Sequence, residues 1–302
     1  MSDMRMDTVA VYGSRCHNGD VSGLGRFLRV LEERMSHVFI HGKLAGSLAG
    51  LGVPVPDGVE VVDDFPPEAR VAISIGGDGT FLRTVQWIGS AGTPVVGVNT
   101  GHLGFLSTFS LDETDRLVEM LLDGSGSVET RMMLRVSGCD VPTWPFAVND
   151  VAVVKSMSTN MVTARTFVDG KFLADYMGDG IVVATATGST AYNLSVGGPI
   201  LEPSMRSMVL SPVAPHSLTM RPLVLGGSSK VEMQIFCRAE ECSVALDGRF
   251  FTLRCRDPRE KDTVAFEPDL VISAAPFALT VLRRSDSDFA SIIRDKLLWG
   301  RR

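Results

Sequence analysis

Several things are scarce in this chain of 302 residues, and each scarcity excludes something. The five cysteines are odd in number, scattered and never spaced as CxxC, which argues against a disulfide framework or a zinc ribbon and fits a reducing cytoplasm. Positive charge is in deficit: 29 Lys and Arg against 35 Asp and Glu leave a formal net charge of −6. A broad electrostatic hold on nucleic acid or anionic lipid is therefore not expected, and any phosphate must be gripped locally. The N-terminus carries Asp3 and Asp7 before its first apolar stretch and has no long apolar core, so no signal peptide is read. Residues 84–111 and 180–201 lack Asp, Glu, Lys and Arg altogether, but Gly, Ser, Thr, Asn and Pro interrupt both. Such stretches read as loops that line a ligand, not as membrane spans. Neither GxxxxGK[ST] nor a GxGxxG after the first strand occurs, which removes P-loop NTPases and ordinary dinucleotide dehydrogenases.

What is present describes an ordinary globular protein, 45% hydrophobic and 21% charged, long enough for two domains at roughly 150 residues each. Short β-branched runs at 8–12, 37–41, 59–62, 71–75 and 95–98 alternate with amphipathic stretches at 25–36, 80–88 and 113–122, the pattern of an α/β layer. The first of these stretches puts Phe27, Leu28, Leu31 and Met35 on one face. From about residue 130 the pattern changes to strands separated by turn residues, among them 162–168 before Asp169-Gly170 and 244–247 before Gly248. The end returns to helix, with Ser287 expected to cap residues 288–298. The expected domains are 1–128, an α/β domain; 129–276, a β-rich domain; and 277–302, a strand and helix returning to the first.

The sharpest local signal is Ile75-Gly76-Gly77-Asp78-Gly79-Thr80, between a buried-type strand and a helix. Three glycines around one acid bring backbone N–H groups close to an anion at a helix N-terminus, which cradles phosphate. Asp78 then stands where a general base is needed; the alternative is a tight turn whose acid caps the helix. Arg83, one turn on, is either a phosphate contact or a surface charge. After the strand ending at Val98 comes Asn99-Thr100-Gly101-His102-Leu103-Gly104-Phe105-Leu106, with Phe105 available to stack on a base or fill the core, and His102 favoured as a satisfied core residue. Asn149-Asp150 lies in an apolar run where polar groups must be paired; an amide beside a carboxylate suits a ribose diol, or else forms a bulge or turn. Asp179 precedes a strand that leads into Thr185–Ser195, where five Ser and Thr hydroxyls, Asn193 and Tyr192 form a neutral hydrogen-bonding wall suited to a nucleoside. His37 and His41 are four apart in a strand-like run, too far apart along one face to chelate, so no metal site is assigned.

Taken in order, GGDGTFLR, NTGHLGFL, NDVAVV, DGIVVATATGSTAYNLSVGGPIL, LSPVAPHSLTMRPLVL and LDGRF resemble the NAD kinase family, from about Val71 to Phe250, with a weaker echo in the terminal DKLLWG. Six motifs in order are far more specific than any one. The resemblance implies an α/β N-terminal domain with a kinase-like open sheet, a β-rich C-terminal NAD-binding domain with the active site between them, and a homodimer or homotetramer. It implies transfer of the γ-phosphoryl group of magnesium-bound ATP to the adenosine-ribose 2′-hydroxyl of NAD, with Asp78 as proton acceptor. Carried over by position, Gly76, Gly77 and Gly79 form the phosphate turn and Arg83 contacts the dinucleotide. Asn149 and Asp150 hold ribose, and Asp179 lies near the nicotinamide. Thr187, Thr190, Ala191, Tyr192, Asn193, Leu194 and Ser195 form the wall, and Ala214 adds a backbone contact. Ala186 stands where the family usually has Pro, Thr100 where Arg is common, and Asp150 where Glu is more frequent. Two other readings share parts of this pattern: a lipid or sphingoid-base kinase with a GGDGT turn, and a non-catalytic dinucleotide sensor.

Overall fold

The computed structural model describes residues 6–13, 21–101, 104–138, 141–156 and 161–299; Cys16, His102 and Cys139 lie outside the described residues. The chain divides into two compact units, Met1–Thr130 with Leu279–Arg302, and Arg131–Ala278.

In the first unit β1 (Thr8–Gly13), α1 (Val21–Arg34), β2 (His37–His41), α2 (Gly42–Gly50), β3 (Val59–Val62), β4 (Val71–Ile75), α3 (Asp78–Ile88) and β5 (Val95–Asn99) follow one another. The strands pair in parallel in the order β3-β2-β1-β4-β5. β1, β4 and β5 are buried throughout, as strands covered on both faces must be. The short β6 (Phe109–Ser110) adds to β5, and α4 (Thr114–Asp123) leads to β7 (Ser127–Arg131). Leu24, Phe27, Leu28 and Leu31 of α1 and Leu117, Val118 and Leu121 of α4 join Val9, Val11, Ile73 and Val96 in one core. From β1 the order runs outward through β2 to one edge and through β4 to the other. Such a reversal opens a crevice at the carboxyl ends of the two strands where it occurs, and Gly76 and Gly77 stand at the carboxyl end of β4.

The helix α2 was not expected, because its sequence, GKLAGSLAG, has low helix propensity. Two features override it. His41 is the N-cap, its Nδ1 accepting from the Lys43 backbone N–H at 3.0 Å, and Leu44 and Leu48, four apart, are both buried. His41 is also packed edge-on against Tyr12 and Trp87, with ring centroids 4.7 and 5.2 Å away, and burial lowers its pKa.

The second unit contains β8 (Leu134–Ser137), β9 (Phe146–Ala147), β10 (Asp150–Lys155), β11 (Val162–Val168), β12 (Lys171–Gly178), β13 (Gly180–Thr185), the single turn α5 (Tyr192–Ser195), β14 (Ser207–Val213), β15 (Leu223–Gly226), β16 (Val231–Cys237), β17 (Glu241–Leu246), β18 (Arg249–Arg254) and β19 (Leu270–Ala274). They form two six-stranded sheets, β15-β14-β13-β10-β17-β18 and β12-β11-β16-β19-β8-β9. Val151, Val153, Ile181, Val183 and Val244 of the first share one core with Val162, Ala164, Met233, Ile235 and Ile272 of the second, the arrangement of a sandwich. The first sheet also buries its other face, through Ala152, Val182, Ala184 and Ala245. The hairpins β11–β12 and β17–β18 turn on Asp169-Gly170 and Asp247-Gly248, all four residues at positive φ as two-residue type I′ turns require.

The chain then rejoins the first sheet as β20 (Leu279–Arg283), parallel to β5, and ends in α6 (Phe289–Leu297), which buries Ile293. The cap of α6 is Asp288, not the expected Ser287. Its carboxylate accepts from the Ser291 N–H at 2.8 Å, and an anion is the stronger acceptor at the positive end of a helix. The Ser287 hydroxyl instead accepts from Arg283 at 3.0 Å.

Phe27 is wholly buried at the centre of the first core. Phe27→Ala is expected to cost about 3–5 kcal/mol, read as a lower denaturant midpoint for the first unit. A loss under about 1 kcal/mol would place the weight of that core elsewhere.

Candidate active site

In the first unit the site is built on the turn from β4 into α3. The Gly76 N–H donates to Val98 O at 2.8 Å, and Gly76 has φ +138°, a conformation open in practice only to glycine. Gly77 caps α3, and Asp78 opens its first turn, where a carboxylate meets the positive end of the helix. The Asp78 carboxylate crosses to the loop after β5 and accepts from the backbone N–H of Phe105 at 3.0 Å and of Leu106 at 3.1 Å, one bond to each oxygen. A carboxylate has about four lone-pair directions, so two amide bonds orient it and leave the others for a hydroxyl proton. Gly104 is glycine because a Cβ there would coincide with the Asp78 carboxylate.

Gly77 and Gly79 are different. Both are exposed, neither has positive φ, and a Cβ on either would meet no described protein atom within 4 Å. Packing and backbone strain do not require glycine there. What bare backbone provides at a helix N-terminus is close approach for an outside group, and the start of a helix suits an anion. Arg83 is exposed on the same helix, with Nη2 3.4 Å from Thr80 Oγ1, and Phe105 is half-buried.

In the second unit the candidate residues fall into two groups at opposite ends of β13, a strand of six residues, or roughly 20 Å. At its carboxyl end the Asn149 carbonyl accepts from the Thr185 N–H at 2.8 Å, and the Thr185 hydroxyl donates to Val148 O at 2.6 Å and accepts from the Gly188 N–H at 3.0 Å. Gly188 lies directly on Asn149, with no room for a Cβ. Asp150 is buried, and the nearby Tyr192 backbone N–H favours its ionised form. Asn193 is fully buried and internally satisfied: its amide donates to Ser189 O and Pro199 O at 3.1 and 3.0 Å and accepts from Ser211 at 2.7 Å. It shapes the wall from behind. Thr187 differs, because its buried hydroxyl has no partner among the described residues. Thr190, Ala191 and Leu194 are partly exposed, and Tyr192 and Ser195 are exposed.

At the other end of β13, Asp179 forms an ion pair with Lys155 at 2.7 Å, and its backbone N–H donates to Val213 O at 3.0 Å. Ala214, next in the chain, is exposed at φ +44°. Non-glycine residues take this conformation at a cost of about 1–2 kcal/mol. Beneath it, Gly178 has no space for a Cβ, which would lie 2.7 Å from Ala214 O.

Two residues of these groups were not singled out in the sequence. Lys155 had no signal beyond its charge. Asp247, in the β17–β18 turn, sends its carboxylate to the backbone N–H groups of Val148 and Asn149, both at 2.7 Å, and of Asp150 at 3.2 Å. Asp-Gly between strands announces a hairpin, and a second task for the same acid leaves no mark in the pattern.

A helix N-terminus and an oriented carboxylate at a sheet's topological reversal, followed by a β-sandwich with a hydroxyl-lined strand end, define a two-unit α/β-plus-β nucleotide-binding phosphotransferase class. Residues 25–125 match the ATP-NAD kinase N-terminal domain family, and residues 148–257 the ATP-NAD kinase C-terminal domain family. The chain is 36% identical over 295 residues to an NAD kinase of Porphyromonas gingivalis, covering 98% of this chain and 99% of that one. It is 38% identical over 242 residues to one of Chlorobium limicola, covering 80% of each. Its fold is similar to that of yeast NADH kinase complexed with NADH, at a TM-score of 0.80 and 22% identity, covering 99% of this chain and 89% of that one. It is also similar to that of an Archaeoglobus fulgidus NAD kinase in complex with ATP, at 0.68 and 24%, covering 97% and 98%. The chain belongs to the NAD kinase family. This likeness favours neither the lipid-kinase nor the sensor reading.

Gly104→Ala is expected to push the Asp78 carboxylate off the Phe105 and Leu106 amides without touching the first core. A misplacement of that size lowers the rate of phosphoryl transfer by about 10²-fold with little change in melting temperature. An unaltered rate would show that the two amides do not set the geometry of the acid.

Proposed function

We propose that the chain phosphorylates the adenosine-ribose 2′-hydroxyl of NAD with ATP, giving NADP and ADP. The observation that carries this reading is the Asp78 carboxylate, oriented by two amides with lone pairs to spare at the N-terminus of α3. In the proposed step the 2′-hydroxyl attacks the γ-phosphorus in line, the bond to the departing ADP oxygen breaks, and Asp78 accepts the hydroxyl proton as the new bond forms. Phosphoryl transfer has a loose transition state, so most of the acceleration comes from positioning and charge stabilisation. Gly77 and Gly79 present bare backbone for phosphate, Gly76, whose own N–H is bonded to Val98 O, shapes the turn that carries them, and Arg83 is an additional cation.

Asn149 and Asp150 take the ribose hydroxyls, the amide as donor and acceptor and the carboxylate as acceptor for two adjacent O–H groups. Thr187, Thr190, Ala191, Tyr192, Leu194 and Ser195 line the nucleoside, with Asn193 holding that turn in shape, and Phe105 is available to a base. The unpartnered Thr187 hydroxyl supports this, since a buried hydroxyl is costly unless something bonds it. Asp179 and Ala214 are assigned to the nicotinamide end. The metal of the reaction belongs to the substrate, magnesium-bound ATP; among the described residues no group of three or more His, Cys, Asp or Glu side chains is arranged to hold an ion. A homodimer or homotetramer in the cytoplasm completes the reading, the location supported by the free thiols of Cys237, Cys242 and Cys255.

The test is NADP formation by the purified chain with NAD, ATP and magnesium. Asp78→Asn is expected to keep NAD binding and lose about 10²–10⁴-fold in turnover, the range a general base supplies. A near wild-type rate in the variant removes Asp78 as base, and NAD binding without turnover in the wild type removes the kinase reading.

A further inference from the structure

Asp247 lies outside every residue assigned above to the dinucleotide, yet it makes more bonds to the proposed ribose-binding segment than any other side chain in these groups. It occupies the first turn position between β17 and β18, at φ +48°. Its own backbone N–H donates to Asp150 O at 3.1 Å. Its Oδ2 accepts from the Val148 N–H at 2.7 Å, and its Oδ1 accepts from the N–H groups of Asn149 at 2.7 Å and Asp150 at 3.2 Å. Three consecutive amides converging on one carboxylate form an anion nest, here filled by the protein itself. On the opposite side, the Asn149 carbonyl is held by the Thr185 N–H and covered by Gly188. The backbone of the Asn-Asp pair is thus fixed from two sides.

We propose that Asp247 is a positioning residue for the dinucleotide site: it fixes the directions in which Asn149 and Asp150 present their side chains and couples its own charge to that of Asp150. This inference rests on the assignment of Asn149 and Asp150 to ribose.

The coupling follows from the surroundings of the two acids. From the β17–β18 side come Asp247 and Arg249, the latter favouring the ionised form of Asp247. From β13 come Ala184 and Thr185, both uncharged, and residues 187–195 carry no charged side chain, offering Asp150 only the Tyr192 backbone N–H. Burial raises the pKa of both acids. At Asp247 three amides and Arg249 oppose it, and every donor there is an N–H that favours the anion. Asp150 has one amide against burial and the repulsion of Asp247, and its pKa is pushed up to about 7. The proton of the pair therefore belongs to Asp150. Protonated, Asp150 has fewer lone pairs for ribose, so NAD affinity falls as pH drops through about 7.

Asp247→Asn keeps the size of the side chain and tolerates the positive φ, but it turns one oxygen into an N–H₂ that faces a backbone donor. Calorimetric titration of the full-length variant and wild type with NAD, and with ATP, from pH 5.5 to 8.5 tests both halves of the inference. The variant is expected to bind NAD about 10-fold more weakly at pH 8.5 with ATP affinity unchanged, the effect of one lost buried hydrogen bond to a charge. With the like charge gone, the inflection in NAD affinity is expected about one pH unit lower than in wild type. Unchanged NAD affinity at pH 8.5 overturns the positioning role. Weaker binding with an unmoved inflection makes Asp247 a merely structural residue and overturns the inference too. Amide exchange in the wild type gives a second check that holds even if the variant does not fold: the N–H groups of residues 148–150 are expected to be protected far beyond loop rates, and exchange at loop rates overturns the clamp. A failure of the parent reading looks different, since wild-type protein would then form no NADP at any pH.

Discussion

An acidic side chain gripped by consecutive backbone amides is the interaction on which both units depend. In the first unit Asp78 is held by the N–H groups of Phe105 and Leu106; in the second, Asp247 is held by those of Val148, Asn149 and Asp150. A hydrogen bond to a charged group is worth about 1.5–3 kcal/mol, and a partly buried carboxylate left without such bonds is costly. Each carboxylate therefore dictates the path of a segment far from it in sequence. Backbone donors suit the task better than Lys or Arg would, because they orient the anion without adding a full neutralising charge. For a proton acceptor that distinction is chemical: an ion pair ties up the lone pairs that two amides leave open.

The same grip explains where side chains are missing. Asp78 reaches its amides only because Gly104 has no Cβ, and Asn149 is clamped from its other side only because Gly188 has none. These glycines serve contacts between parts of the protein. Gly77 and Gly79 serve none that the described residues show, and their bare backbone faces outward at the start of α3. Two kinds of glycine thus stand within one motif and its loop, one required by internal packing and one that leaves room for an outside group.

Much of this was legible because the signals are local. The runs at 37–41, 59–62, 71–75 and 162–168 are strands with those same bounds, since alternation and β-branching act over a few residues. The strand, glycine turn and helix around Asp78 is legible for the same reason. The α2 helix was hidden, because His41 as cap and the burial of Leu44 and Leu48 outweigh three glycines, and burial is a tertiary fact. Which Asx or Ser residue caps α6 depends on where Arg283 places Ser287. The pairing of twelve strands into two sheets is set by contacts remote in sequence, and so is the second task of Asp247 beyond its turn. The motif strings locate Asp150 and Asp179 well enough, but a strand's length separates them, which spacing along the chain does not reveal.

Charge economy explains why the candidate site looks as it does. A chain with net charge −6 has no excess of positive charge for a broad hold on anionic substrates, so local attraction from amides and helix ends matters more. The partial charge at the N-terminus of α3 acts within about one turn, which confines that attraction to the backbone beside Asp78. In the second unit the segment 187–195 carries no charge at all and presents hydroxyls, whose weak and reorientable bonds suit a neutral nucleoside. The acid pair beside that segment, buried Asp150 and half-buried Asp247, works by accepting from hydroxyls and amides. Recognition thus rests on direction more than on net attraction, and direction is what the amide-held carboxylates supply.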